Sequence, residues 1–510
     1  MSNIKHIVIV GGGSAGWLSA GLLAAEHCGK NSPISITLIE SPDVATIGVG
    51  EGTWPSMRST LNRIGISEKD FITQTDASFK QGSKFVNWCQ DDKHEHYYHP
   101  FMTPQGYTQT NLYEGWQAKH PNQTFADIVS IQGQICERGR APKQQGTPEY
   151  ASVTNYGYHL DAGKFATLLQ QHCCENLGVR HIKDHVLSIE NNEQEYIAAL
   201  HTKLNGRIAG DLFIDCTGTK ALLIGQHYHV PYIVKTDTLF NNRALAVQLP
   251  YTSDDSPINS ATVSTAQEAG WIWDIGLPTR RGVGYTYSSK YQSDQSAADT
   301  LRAYAAHSIG EEKAAQLDIR PIQFTPGYRE KFWHKNAVAI GMSAGFIEPL
   351  EASALALIEL SCSMISEQLP RSFEHMQVLS QRFNQRFKYR WARVIDFLKL
   401  HYVLSNRQGK YWQDNRDPDT IPESLKNLLE LWQHQVPSRF DFIQNEEVFP
   451  SASYQFVLYG MGFKTNISES CKVKDDSELL DKIFADNQYK IDKFSQALPS
   501  NRELIEFFKR

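Results

Sequence analysis

Residues His6 to Val10 form a nearly continuous apolar run rich in β-branched side chains, and it passes without a break into Gly11-Gly12-Gly13-Ser14-Ala15-Gly16. Beyond the glycines, apolar residues fall at helical spacing through Trp17, Leu18, Ala20, Leu22 and Leu23. A second strand is expected over Ile34 to Ile39, closed by Glu40. A buried parallel strand, a glycine turn, a helix and a strand ending in an acid are what a dinucleotide site requires. Gly11 permits the tight turn, Gly13 lets a pyrophosphate touch backbone, and Gly16 allows the helix to pack close to the strand. Ser14 and Ala15 open the helix, whose unpaired N–H groups suit phosphate oxygens. Glu40 can accept from a ribose hydroxyl. The fold class expected is α/β, built on a doubly wound sheet.

Later segments depart from a simple nicotinamide site. Thr46 to Thr53 is a second glycine-rich loop, with Gly48, Gly50 and Gly52 allowing close backbone approach. Gly210 to Gly218 reads as a buried strand ending in a glycine turn, and Asn336 to Gly345 as another, carrying Gly341 and Met342. The first of these is similar to the strand that closes the nucleotide site in flavoprotein monooxygenases. Three separated segments feeding one site imply FAD rather than NAD. The FAD-binding domain is therefore expected to be discontinuous, over 1–90, 150–230 and 320–365. A mixed-sheet substrate region is expected over 91–149 and 231–319, and a mainly helical C-terminal region over 366–510.

Composition narrows the partners. With 41% hydrophobic and 21% charged residues and a net charge of −6 over 510 residues, the chain gives no reason to expect nucleic acid. Its eight cysteines are scattered without a Cys-x-x-Cys pair, so no metal site is expected. No apolar run reaches the roughly 20 residues of a membrane span, and a cytoplasmic location is expected. Lys143 to Pro148 reads as a surface loop, the arginines at 382, 386, 390 and 393 as a charged helix face, and the last forty residues as a peripheral helix.

Three further motifs fit no nucleotide fold. Lys80 lies in Asp76-Ala-Ser-Phe-Lys-Gln-Gly-Ser-Lys-Phe-Val-Asn-Trp88, among apolar neighbours that make an ammonium adjustable. The second reads Trp271-Ile-Trp273-Asp-Ile275-Gly-Leu-Pro278, and the third Phe346-Ile-Glu348-Pro-Leu-Glu351-Ala-Ser353-Ala354. In this order and spacing the motifs resemble those of flavin-dependent halogenases of the tryptophan halogenase family. The resemblance implies that Lys80 is the catalytic lysine, with Lys84 the neighbouring alternative, and that Glu351 is the active-site carboxylate. It implies that the N–H groups of Ser353 and Ala354 hold chloride or bromide. Relatives carry a glycine where Ala354 stands, and their proline lies two positions earlier than Pro278.

His99 and Phe101 are similar to the family's pair of rings that flank an aromatic substrate. Tyr454 matches one residue of the segment that grips free tryptophan, whereas Gln455 and Met461 stand where charged or hydroxyl-bearing partners are expected. That departure favours a decarboxylated, deaminated or larger indole or phenol over free tryptophan. The resemblance further implies reduced FAD as cofactor, supplied by a separate flavin reductase, a small aromatic substrate, and room for a homodimer. Two readings compete with it: an aromatic monooxygenase on the same fold, and a flavin-binding protein without catalysis.

Overall fold

The structure is a computed structural model that describes residues 4–29, 32–44, 50–90, 95–444, 446–467 and 476–510. The chain divides into two compact units, both discontinuous in sequence. The first comprises 1–77, 160–235 and 324–391, and the second 78–159, 236–323 and 392–510. Residues 78–90 thus group with the sheet region, because Gly82–Val86 is one of its strands. The C-terminal region is helical; its residues from 392 on group there too, while 366–391 belong to the first unit.

The first unit is built on a six-stranded sheet. Its order is Trp333–His334, Ala337–Ala339, Leu212–Asp215, His6–Val10, Ser35–Glu40 and Arg180–Lys183. All pairings are parallel except the one between Trp333–His334 and Ala337–Ala339. The expected strands at 6–10, 34–39, 210–218 and 336–345 are therefore all present and lie side by side. Val8, Val10, Ile39, Ile182 and Phe213 pack into one buried cluster, which accounts for the unbroken apolar runs. Helix Ser14–His27 follows the central strand directly and is buried along nine consecutive residues from Gly16 to Ala24.

The second unit holds a seven-stranded sheet in the order Arg320–Gln323, Arg243–Pro250, Arg280–Tyr287, Gly270–Gly276, Thr262–Gln267, Gly82–Val86 and His96–Pro100. Every pairing is antiparallel except Thr262–Gln267 against Gly82–Val86. Helix Asp294–Ile309 covers one face, setting Ala297, Leu301 and Ala305 on Leu245, Ile272, Val283 and Tyr285. Gly284 stands opposite Trp273 in the register, and a side chain there would run into the indole ring.

The loop 144–148 is at the surface and Arg382 and Arg386 are exposed, as expected, but individual residues of these segments lie inside. Lys143 is fully buried, its ammonium 5.5–5.9 Å from the ring centroids of Phe79, Tyr156 and Phe508 and 3.3 Å from the Tyr156 hydroxyl. Ring faces stabilise a desolvated cation, which is how a lysine in a polar-looking stretch comes to lie inside. Arg390 is buried on the long helix Phe373–Val403, its guanidinium over Phe387. The C-terminal segment is two helices, Ser477–Ala497 and Asn501–Lys509, each burying one face. Ile491 and Leu498 pack on Ile131 and Ile135, and Asn501, Leu504 and Ile505 are fully buried. Among the described residues no helix is long and apolar enough to cross a membrane.

Candidate active site

In the first unit the glycine turn has the geometry its sequence requires. Gly11 sits at φ 115°, and a Cβ on it would strike the carbonyl of Cys216, while one on Gly16 would strike the carbonyl of Gly11. Gly13 behaves differently. A Cβ there would meet nothing within 4 Å, so its surface faces open space at the start of the helix. Gly13 is the N-cap of that helix and offers no side-chain cap, leaving the first N–H groups, at Ser14, Ala15 and Gly16, without intrahelical acceptors. Glu40 ends its strand beside Gly12 and pairs with His181 at 2.7 Å. Gly341, at φ 72°, brings a third segment so near that a Cβ would press on that of Ala15, and Met342 follows it in a short 3-10 turn. Asp215 is fully buried and accepts from the backbone N–H groups of Thr217, Leu223 and Ile224, which fixes the turn after its strand. An open cradle of backbone donors beside an acid fits the pyrophosphate and ribose of FAD. Gly50 has φ 147° and Gly52 belongs to the short strand Glu51–Gly52; Gly48 lies outside the described residues.

The same unit carries the acid motif. Glu351 and Ala352 are consecutive non-glycine residues at φ 64° and 53°, a conformation that costs about 1–3 kcal/mol each and concentrates at functional sites. Trp54 donates its indole N–H to the Glu351 carbonyl at 2.8 Å. Helix Ser353–Glu367 starts immediately afterwards, its N-cap Ala352 making no side-chain cap. Ser353 is buried and Ala354 exposed. Backbone donors at the N-terminus of a four-turn helix suit an anion. Farther along the same helix, Glu359 is buried and accepts from Ser56 at 3.0 Å and from Thr60, and burial pushes its carboxyl up to about 7.

In the second unit, Lys80 ends the strand Ser78–Lys80, which pairs antiparallel with Gly157–Leu160. Lys80 is only 1% exposed, and its ammonium stands 5.4 Å from the centroid of Phe101. Lys84 pairs with Glu137 at a partly exposed position, so of the two lysines Lys80 is the desolvated one. His159, opposite Ser78, is fully buried and bonded through Nε2 to Thr262 at 2.8 Å. Burial, and then the nearby charge of Lys80, hold its imidazole well below the usual range, so it is neutral. No sequence signal singles out His159, because strand pairing brings it beside Lys80.

His99 is buried, with Phe397 at 5.5 Å and Phe449 and Phe456 beyond 6 Å. Trp271 and Trp273 are buried in the strand Gly270–Gly276 with ring centroids 6.2 Å apart. The Tyr454 ring is fully buried against Phe397, Trp432 and Phe442. Gln455 donates to the Pro437 carbonyl at 2.9 Å, and Met461 is buried. The second unit therefore brings Lys80 and Phe101 together, with His159 beside the lysine strand. Tyr454 and His99 share an aromatic cluster centred on Phe397.

A nucleotide cradle of converging segments in the first unit and, in the second, a desolvated lysine beside an aromatic ring are features of a flavin-dependent enzyme. The chain belongs to the tryptophan halogenase family, whose model, described as tryptophan halogenase, matches residues 6–475. It is 32% identical to a tryptophan 6-halogenase from Streptomyces toxytricini over 90% of each chain. A crystal structure of a tryptophan halogenase from Shewanella frigidimarina superposes with a TM-score of 0.96 at 51% identity, covering 99% of this chain and 98% of the other. A flavin-dependent halogenase from Brevundimonas superposes at 0.86 with 30% identity, covering 99% of both chains.

Proposed function

We propose that the protein uses reduced FAD, dioxygen and chloride or bromide to halogenate an electron-rich indole. The observation that carries this reading is a lysine 1% exposed beside the Phe101 ring in a chain of this family. When bound, reduced FAD supplies the oxidation of halide by dioxygen to hypohalous acid. This chain's residues do the rest. The backbone of Gly11 to Gly16, with Glu40, holds the nucleotide, and Gly341 and Met342 border it. The N–H groups of Ser353 and Ala354 hold the halide. The Lys80 ammonium holds hypohalous acid through a charge-assisted hydrogen bond and presents its halogen to one ring carbon, so position selects the product. His99 and Phe101 orient the ring. Glu351 stabilises the cationic ring and accepts the proton it loses, restoring aromaticity. A separate reductase supplies reduced FAD.

The test is incubation with FAD, a flavin reductase, NADH, bromide, and tryptophan or indole, read by mass spectrometry for wild type and Lys80→Ala. Brominated product from wild type alone is expected. Hydroxylated product from both proteins would instead establish a monooxygenase.

A further inference from the structure

We infer that Asn501 is a positioning residue for Lys80, acting through the backbone of Phe79; the inference rests on the role proposed above for Lys80. The lysine strand, Ser78–Lys80, is an outer strand of its sheet. In an antiparallel pair, alternate residues turn N–H and C=O away from the partner strand. At Phe79 both of these groups are taken by one side chain. The Asn501 amide nitrogen donates to the Phe79 carbonyl at 3.1 Å, and its oxygen accepts from the Phe79 N–H at 3.4 Å. Asparagine thus completes the edge as a further strand would, one residue before the lysine.

Asn501 is itself held rigidly. It opens the helix Asn501–Lys509, which is fixed by a capping box between Ser500 and Glu503. Its own N–H donates to the Gly139 carbonyl at 2.9 Å, and its amide also donates to Asn259 at 3.3 Å. The next residue, Arg502, donates to the carbonyls of Ser256 at 2.9 Å and Pro278 at 2.7 Å. At the far end of the helix, Phe508 packs on the Phe79 ring with centroids 6.3 Å apart, and the buried Lys143 ammonium lies against both rings. Side chains alternate along a strand, so Phe79 anchors one face while Lys80 projects from the other. On the far side of the lysine, Gln81 is buried and bonded to the carbonyls of Ser260 and Arg140, both at 2.7 Å. The lysine backbone is therefore fixed on both flanks. The clamp lies beyond the family match, which ends at residue 475.

Presentation of a reactive group is sensitive to displacement: a 1 Å shift can cost about 100-fold. Asn501→Ala should therefore uncouple the reaction. With tryptophan and indole as probe substrates and bromide, brominated product per flavin oxidised should fall at least roughly tenfold. Hypobromous acid trapped by monochlorodimedone should rise to match, and KM for the aromatic should stay unchanged while kcat falls. Amide exchange at Phe79 and Lys80 should accelerate, with the strand Gly270–Gly276 still protected. Should Asn501→Ala not fold, Asn501→Gln keeps the amide but moves it by one methylene, and the same fall in product ratio, or a changed site of bromination, is expected. A wild-type product ratio from a folded Asn501 variant overturns the clamp. Full product from Lys80→Ala overturns the role of Lys80 itself, and the purpose of the clamp with it.

Discussion

Trp54 donates its indole N–H to the carbonyl oxygen of Glu351, at 2.8 Å, and so pins a residue at φ 64°. Without that bond the left-handed pair Glu351-Ala352 can relax, and the helix start at Ser353 moves with it. One such bond contributes about 1 kcal/mol, or roughly fivefold in an equilibrium. Trp54→Phe should raise the apparent KM for bromide about fivefold and leave FAD affinity alone. Steady-state halide titration and flavin fluorescence quenching check the two halves. Equal loss of both affinities would mean that Trp54 supports the whole unit.

Two glycines of one turn should respond oppositely. Gly13 faces open space, so Gly13→Val should fold with a melting temperature within ~2 °C of wild type and bind no flavin. Gly16 is packed on the carbonyl of Gly11, so Gly16→Ala should cost about 1–3 kcal/mol and lower the melting temperature by several degrees. Thermal melts monitored by circular dichroism, run beside flavin binding, separate the outcomes. Unchanged FAD affinity in Gly13→Val would remove the pyrophosphate from this turn.

Glu359 makes stability depend on pH. Its carboxyl is raised by burial from 4.5 to about 7, so the folded protein keeps a proton that the unfolded chain gives up. The stabilisation is complete below about pH 4.5 and is lost as pH rises through about 7, a change of roughly 3 kcal/mol. Glu359→Gln has no proton to lose. Urea unfolding at pH 5 and pH 8 should show a smaller difference for the variant than for wild type, and an identical difference would contradict the assignment.

The helix Ser451–Gly460, with Met461 and Gly462 after it, contains no acid. A zwitterionic substrate would bring it an ammonium that needs a partner when desolvated. Equimolar tryptophan and indole offered to one enzyme sample should give mainly halogenated indole, measured by mass spectrometry. A clear excess of halogenated tryptophan would show that another element supplies the charge.

What could be read from the chain follows from how local each signal is. Gly11, Gly13, Gly16 and Glu40 belong to one strand–turn–helix–strand stretch, where spacing reports geometry directly. The strands at 210–218 and 336–345 announced themselves as apolar runs closed by glycine. Lys80 could be singled out only through the motif around it, since nothing in a lysine's sequence neighbourhood states that its ammonium is buried. His159 and Asn501 carried no signal. Each owes its place to a pairing with residues 78–80 that forms only when distant segments meet. The burial of Lys143 is hidden for the same reason: two of the three rings around it, Phe79 and Phe508, come from segments far apart in the chain.

The bond between Asn501 and Phe79 joins residues 422 positions apart. During synthesis the lysine strand leaves the ribosome long before its clamp exists, at about 5–20 residues per second. For roughly 20–80 s, then, the growing chain holds a strand edge that nothing covers. Flavin could already be cradled by the time residue 391 has emerged, since the first unit is then complete in sequence. On the function proposed above, Lys80 would gain its clamp only after residue 501 has emerged. On that same proposal, synthesis imposes a delay between completing the cradle and securing the lysine.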